Sequence, residues 1–207
     1  MSHIYGLIVI CHLGPYRGDG ITVLPKYDFK QLLQAIQDFK IAMLYLVPPM
    51  IIHLTKSKDI CKQYDLSSVR AIFTGAAPLG EETANDLAAL FPSWAIRQGY
   101  GLTETATVVC STAPHDIWFG SSGSLLPGTK VRIVTVEGNE ITGYDQPGEL
   151  WVCSPSVTIG YLKNEKATKE TFVDESDGRY MRTGDEAVIR KSPNGYEHVF
   201  IVDRIKE

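Results

Sequence analysis

Four short stretches carry side chains suited to holding a phosphorylated nucleotide. In Gln98–Thr105, "QGYGLTET", Gly99 and Gly101 flank Tyr100 and are followed at once by Thr103 and Glu104. Glycine lets backbone approach a ligand closely and permits positive φ. Tyr100 offers an aromatic face for stacking, and Gln98 stands beside it. The Thr103 hydroxyl can meet a phosphate oxygen. The Glu104 carboxylate is the hard oxygen ligand through which Mg²⁺ usually joins a phosphate site. In "TGAAPLG", Gly75, Ala76, Ala77 and Pro78 place small side chains where a flat ring could press against backbone. In "RTGDEA", Asp185 after a glycine can present both oxygens to vicinal ribose hydroxyls. In "VDRIKE", Arg204 brings a fork of donors suited to ribose or phosphate oxygens. Three of the four also have a plain reading. The first is a glycine-rich turn with a capping Thr and a first-turn Glu balancing a helix dipole. The third is an ordinary Gly-Asp turn, and the fourth a solvated, charged helix start.

The elements that must position these residues follow from periodicity. Phe29, Leu32, Leu33, Ile36 and Phe39 recur at helical spacing and form one apolar stripe. "IAMLYLV" (41–47) is a short apolar run closed by Pro48-Pro49, suited to a buried parallel strand. "VRAIFT" (69–74) reads as a strand and 81–91 as a helix, with Leu87, Ala88, Leu90 and Phe91 inward. "WAIRQ" (94–98) reads as the next strand. Strand, helix and strand with short connections imply a βαβ crossover and a parallel sheet. "TGAAPLG" and "QGYGLTE" then both lie beyond carboxyl ends of parallel strands, where open α/β sheets bind ligands. Past "FGSSGSLLPG" the texture changes. "KVRIVTV", "GELWVCS", "EAVIRK" and "HVFIVD" are strand candidates between Gly, Pro, Asn and Asp, with one helical segment at 165–172. The expectation is an α/β chain: a parallel-sheet βαβ subdomain over 1–120, then a small, mostly antiparallel, barrel-like subdomain over 121–207.

Composition narrows the classes. The chain has 207 residues, 44% of them hydrophobic, enough to bury a core. Twenty basic against twenty-four acidic residues give a formal charge of −4, so no polybasic surface points to nucleic acid. The most apolar run, 41–52, is interrupted by Pro48-Pro49 and is too short for a membrane span. The start, "MSHI", lacks the basic segment of a signal peptide. Cys11, Cys61, Cys110 and Cys153 are far apart, which predicts buried free thiols rather than a disulfide scaffold or zinc site. His12, His53, His115 and His198 read as surface or packing residues.

Taken in order, "TGAAPLG", "QGYGLTET", "GELWVCSPSVTIGYLKNEKATKETF", "YMRTGD" and "FIVDRIKE" resemble the AMP-forming adenylating superfamily. That superfamily includes acyl- and aryl-CoA synthetases, 4-coumarate:CoA ligases, firefly-type luciferases and peptide-synthetase adenylation domains. The resemblance covers essentially the whole chain. "QGYGLTE" looks like the CoA-ligase and luciferase branch, and the opening "HIYGL" is similar to the His-Ile-Tyr segment of 4-coumarate:CoA ligases.

The resemblance implies roles. Ala76, Ala77 and Pro78 would pack near adenine, with Gln98, Gly99 and Tyr100 as its other wall. Thr103 would bind the α-phosphate, Glu104 the Mg²⁺, and Asp185 and Arg204 the ribose. Lys206 matches the hinge of a small C-terminal domain, and Thr103, Glu104 and Lys206 would form the catalytic set. His3, Tyr5, Gly99, Thr107, Val108 and Gly123 would line the acyl pocket. Thr107-Val108 departs from the Pro-Val of many plant aryl ligases, which counts against a hydroxycinnamate preference. The implied reaction activates a small aryl or medium- to long-chain carboxylic acid with ATP as acyl-AMP and passes it to coenzyme A. The family's phosphate loop and C-terminal lysine are absent from the sequence. Loss of such oriented charge typically costs about 10²–10³ in rate, so the expectation is a core that is poorly active alone, in the cytoplasm or a peroxisome. Exposed apolar edges would leave it open to oligomerisation. A nucleotide-binding or interaction fragment without catalysis, and a luciferase-type oxygenase, are the alternatives.

Overall fold

The computed structural model describes residues 2–205, so Lys206 lies outside the described residues. The chain divides into two compact units, Met1–Gln98 and Gly99–Glu207. Each is built from its own short-range logic.

In the first unit, a π-helical run, Tyr5–His12, leads into the short helix α1 (Leu13–Arg17), which ends on Gly18 at φ 76°. Helix α2 (Phe29–Phe39) is capped by Asp28, whose carboxylate accepts from the Gln31 N–H, and it stops where Lys40 turns left-handed. Its expected stripe is buried from Phe29 through Ile36, but Phe39 on the last turn is 68% exposed. Strand β1 (Met43–Leu46) ends at Val47, and the two prolines that close it also open helix α3 (Pro48–Lys56). Proline suits a first helical turn because its missing N–H would have no partner there. This helix, and the single turn α4 (Lys58–Cys61), carry no clean stripe that sequence periodicity could detect.

Strand β2 (Ala71–Thr74) lies parallel to β1, and Ala95–Gln98 at the start of β3 (Ala95–Leu102) lies parallel to β2. Helix α5 (Glu81–Leu90) makes the crossover between them and buries Ala84 and Leu87, while Leu90 and Phe91 are half-covered. Leu33, Ile36, Ile51, Leu54, Ile72 and Leu87 are fully buried and form the centre of this unit. The expected parallel βαβ arrangement is therefore present.

In the second unit β3 continues through Gly99–Leu102, now antiparallel to β4 (Thr107–Ser111), which pairs with β5 (Ser124–Leu125). A larger antiparallel sheet follows, ordered β11-β10-β8-β6-β7. Its strands are β6 (Lys130–Val134), β7 (Glu140–Ile141), β8 (Gly148–Cys153), β10 (Gly178–Lys191) and β11 (Glu197–Arg204). Helix α6 (Glu165–Thr171), capped by Asn164, runs into β9 (Phe172–Glu175), which pairs with β10. Val109, Cys110, Ile133, Leu150, Val152, Ala187 and Val199 form the core between the two sheets. The antiparallel half is thus as expected.

All four cysteines are free, but Cys11 is exposed rather than buried. Burial pushes the Cys110 thiol up to about 12, so it stays neutral within the core. No helix among the described residues is long and apolar enough to cross a membrane.

Candidate nucleotide and acyl site

The chemistry-bearing stretches are held by backbone devices that differ from the turns the sequence suggests. "QGYGLTET" does not enter a helix. Strand β3 runs on to Leu102, and Thr103–Thr105 form one 3₁₀ turn before β4. The turn is pinned by Thr105, 1% exposed. Its hydroxyl accepts from the Leu102 N–H at 3.0 Å and lies 3.1 Å from the carbonyls of both Leu102 and Thr107. Beyond it, Ala106 and Thr107 have φ of 50° and 99°. Positive φ at a β-branched residue is costly and clusters at functional sites. Thr103 is left exposed and Glu104 half-buried on the outside of this turn. Sequence reasoning gave Thr105 no role, although its spacing from Leu102 is that of a capping residue.

Gly101 shows why a glycine stands there. A Cβ on it would lie 1.4 Å from the Thr107 carbonyl oxygen, so the space is taken by the chain's own hairpin. Gly123 is similar: at φ 92° its Cβ would fall 2.0 Å from the Ser111 carbonyl carbon. Thr107 is buried and Val108 half-buried on β4.

Glu104 has a partner that the sequence did not reveal. The Tyr161 hydroxyl donates to Glu104 Oε1 at 2.7 Å, and the Thr158 N–H donates to the Glu104 carbonyl at 2.8 Å. Burial, then the Glu104 hydrogen bond and charge, raise the Tyr161 phenol above its ordinary value, so it remains a donor. Arg179 holds the same loop through the Thr158 and Ile159 carbonyls, each at 2.8 Å. Tyr161 stands in the quoted "GYLKNEKATKETF", and its only sequence-level signal was membership of that stretch.

"RTGD" is not a turn between strands but a bulge inside β10. Thr183, Gly184 and Asp185 lie between the paired positions Arg182 and Glu186, whereas Leu150 alone lies between Trp151 and Glu149 on β8. Gly184 takes φ 73°, which this looping-out requires. On the other side Asp185 pairs with Arg204 of β11. The structure therefore brings Tyr100, Asp185 and Arg204 together. The Tyr100 hydroxyl donates to Asp185 Oδ2 at 2.5 Å, and Arg204 Nε stands 3.4 Å from Oδ1. The Asp185 side chain is 7% exposed and that of Arg204 58%. Burial, followed by the Asp185 charge, pushes the Tyr100 phenol well above its ordinary value, so it keeps its proton and donates. Tyr100 thus holds a carboxylate as well as offering a ring.

In the first unit, Gly75 and Leu79 are buried, while Ala76, Ala77 and Pro78 are exposed. Ala76 takes φ 67°. The Gln98 amide oxygen accepts from the Leu79 N–H at 3.1 Å and fixes the end of this turn. His3 is exposed, and its Nδ1 accepts from the Tyr5 N–H at 3.2 Å. Tyr5 donates its hydroxyl to the Phe73 carbonyl at 2.9 Å and stacks on the Phe73 ring. No group of three or more His, Cys, Asp or Glu that could cage a metal occurs among the described residues. A single carboxylate such as Glu104 fits a Mg²⁺ whose remaining ligands are phosphate oxygens and water.

A family model described as "AMP-binding enzyme" matches residues 1–162. An acyl-CoA ligase of Cordyceps militaris is 44% identical over the whole of this chain, which corresponds to 32% of that protein. An acyl-CoA ligase of Purpureocillium lilacinum is 45% identical, again over the whole chain, which is 53% of its length. The chain spans about a third to a half of the length of the curated relatives it matches. Among solved structures, the luciferase-like enzyme from the nonluminescent mealworm Zophobas morio superposes with a TM-score of 0.83. It is 28% identical, over 100% of this chain and 47% of that one. ATP-bound MatB from Rhodopseudomonas palustris gives 0.81 at 26% identity, over 98% of this chain and 38% of that one.

Proposed function

Because the chain belongs to the AMP-binding enzyme family, we propose that it is part of an ATP-dependent acid–thiol ligase, which joins a carboxylic acid to coenzyme A through an acyl-adenylate. The observation that carries this reading is identity of 40–45% along the whole chain to several proteins described as acyl-CoA ligases. In the first half-reaction a carboxylate oxygen attacks the α-phosphorus of ATP and pyrophosphate leaves. In the second, the thiol of coenzyme A attacks the acyl carbon and AMP leaves. Two anions meet in the first step, so positioning and charge stabilisation must supply the rate, and no residue need act as a nucleophile.

The proposed roles are those the family resemblance implies. Asp185 accepts from ribose hydroxyls, with Tyr100 holding one carboxylate oxygen and Arg204 flanking the other. Thr103, exposed on its pinned turn, donates to the α-phosphate. Mg²⁺, when bound, would offset phosphate charge, and Glu104 is the residue that would hold it, with Tyr161 fixing one carboxylate oxygen. Ala76, Ala77 and Pro78 offer a flat edge to adenine. In the second unit, Thr107, Val108 and Gly123 are the residues proposed for the acyl group. The acid is proposed to be an aryl or a medium- to long-chain carboxylic acid, with Thr107-Val108 counting against a hydroxycinnamate.

The test is acyl-CoA formation by the intact protein across aryl and aliphatic acids. Product that requires both ATP and coenzyme A is expected, falling at least about 10²-fold in Glu104→Gln. Light or an oxidised product instead of acyl-CoA would favour the luciferase-type reading. AMP binding with no turnover of any acid would leave a binding module.

A further inference from the structure

The bulge that carries Asp185 is closed by a side chain without an assigned role. Glu149, on β8 beside the bulge, has a side chain only 12% exposed, and it collects donors from both sides of the loop. Its Oε1 accepts from the Gly184 N–H at 3.2 Å. Its Oε2 accepts from Arg182 Nε and Nη2, at 3.2 and 3.1 Å, and from Trp151 Nε1 at 2.9 Å. A second clamp lies next to it. The Thr183 hydroxyl donates to the Leu150 carbonyl at 2.7 Å and accepts from the Asp185 N–H at 3.1 Å. The residues immediately before Asp185 are therefore tied to β8 by two side chains, and the Asp185 backbone is tied to one of them.

A bulge breaks the ladder that would otherwise fix its residues. Gly184 at φ 73° adds freedom at the point where the loop leaves the strand. Left alone, such a segment would spread Asp185 over several positions, and a misplacement of about 1 Å can cost on the order of 10²-fold. Glu149 supplies the missing constraint from within the sheet, by accepting the Gly184 N–H of the bulge and by holding Arg182 at its entrance.

We infer that Glu149 is a positioning residue for ribose recognition: it sets the place of Asp185 through Gly184 and Arg182, with Thr183 as a parallel clamp. This rests on Asp185 being the ribose ligand. Glu149 itself touches no ligand in this account. A merely structural Glu149 would alter stability but leave the preference for an intact ribose where it was.

The experiment compares equilibrium binding of AMP and 2′,3′-dideoxy-AMP to the intact protein, in wild type, Glu149→Gln, Thr183→Val and Asp185→Asn. Hydrogen bonds to a charged group predict that wild type prefers AMP by about tenfold or more. Asp185→Asn should erase most of that preference. Glu149→Gln should reduce it at least about threefold, because the amide keeps an acceptor for Gly184 but no longer holds Arg182 by charge. Thr183→Val, nearly isosteric, should also reduce it, and it decides the matter if Glu149→Gln does not fold. A wild-type preference retained in Glu149→Gln or, failing that variant, in Thr183→Val, while lost in Asp185→Asn, overturns the inference. No preference in wild type, or a full one in Asp185→Asn, overturns the ribose reading beneath it.

Discussion

Asp116 and Asp185 are both buried carboxylates of the second unit, and each is surrounded by donors, yet the two surroundings serve opposite ends. Asp116 accepts from Ser192 Oγ at 2.9 Å and Asn194 Nδ2 at 2.8 Å, and it faces His198 Nε2 at 2.7 Å. The other ring nitrogen of His198 meets Ser121 Oγ at 2.7 Å, and that oxygen accepts from the Gly123 N–H. Serine, histidine and aspartate in line would suggest a nucleophile. However, Ser121, His198 and Asp116 are 1, 1 and 2% exposed, so no substrate can reach them. Asp185 meets a phenol on one oxygen and a long, solvent-facing guanidinium contact on the other. A carboxylate whose bonds are completed by the fold is a fastener. One bordered by an exposed cation, on a bulge held by neighbours, is the one proposed to exchange partners with a ligand.

Breaking the fastener should give the largest change in stability. Asp116→Ala leaves the buried His198 and Ser192, and the exposed Asn194, without their acceptor, and removal of one partner from such a network costs about 3–5 kcal/mol. Denaturant unfolding followed by Trp118 fluorescence checks this, since Trp118 packs on His198 and Phe200. Nucleotide affinity of the folded fraction should change less than about twofold, because the network shares no hydrogen-bond partner with Asp185 or Glu104.

Gly101→Ala should come next, at about 3 kcal/mol. Its Cβ would overlap the Thr107 carbonyl, so the β3–β4 hairpin must open and the turn bearing Thr103 and Glu104 must shift. Unlike Asp116→Ala, this variant should lose phosphate binding and stability together, which near-ultraviolet circular dichroism with ATP titration would show.

Acid tests the Asp116 network by itself. Burial alone would raise the Asp116 carboxyl, but hydrogen bonds from Asn194, Ser192 and His198 outweigh it and hold the folded value below the ordinary one. Its contribution to stability is therefore complete above the usual carboxylate value of about 3.9. It is lost as pH falls through that value towards and past the lower folded one. Unfolding measured from pH 6 to pH 2 should show this loss in wild type and a weaker one in Asp116→Asn. Arg204→Ala should have the smallest effect on folding, under about 1 kcal/mol, because the Arg204 side chain is 58% exposed and its contact with Asp185 is long at 3.4 Å. It should still weaken nucleotide binding several-fold, as isothermal titration would reveal.

The comparison also marks what a sequence can disclose. The parallel strands, helix α5 and the antiparallel strands were legible because apolar periodicity reports burial directly. Asp185 and Glu104 stood out because they lie in dense, glycine-bearing stretches. Their supports did not: Tyr161 lies fifty-seven positions from Glu104 and Tyr100 eighty-five from Asp185, and no local spacing encodes such pairs. Phe39 was misjudged because the helix ends beneath it. His198, read as a surface or packing residue, proved a buried and fully bonded one, consistent with that plain reading. Thr105 and Gly101 were hidden for another reason, since the tight β3–β4 hairpin they serve lies where a helix start was the plain expectation.

Isotope transfer tests the central claim most directly. A carboxylic acid labelled with ¹⁸O in its carboxylate, turned over by the intact protein with ATP and coenzyme A, should deliver one ¹⁸O atom to the phosphate of AMP, as attack on the α-phosphorus requires. Recovery of the label in inorganic phosphate with ADP, or turnover that leaves AMP unlabelled, would contradict adenylation at this site.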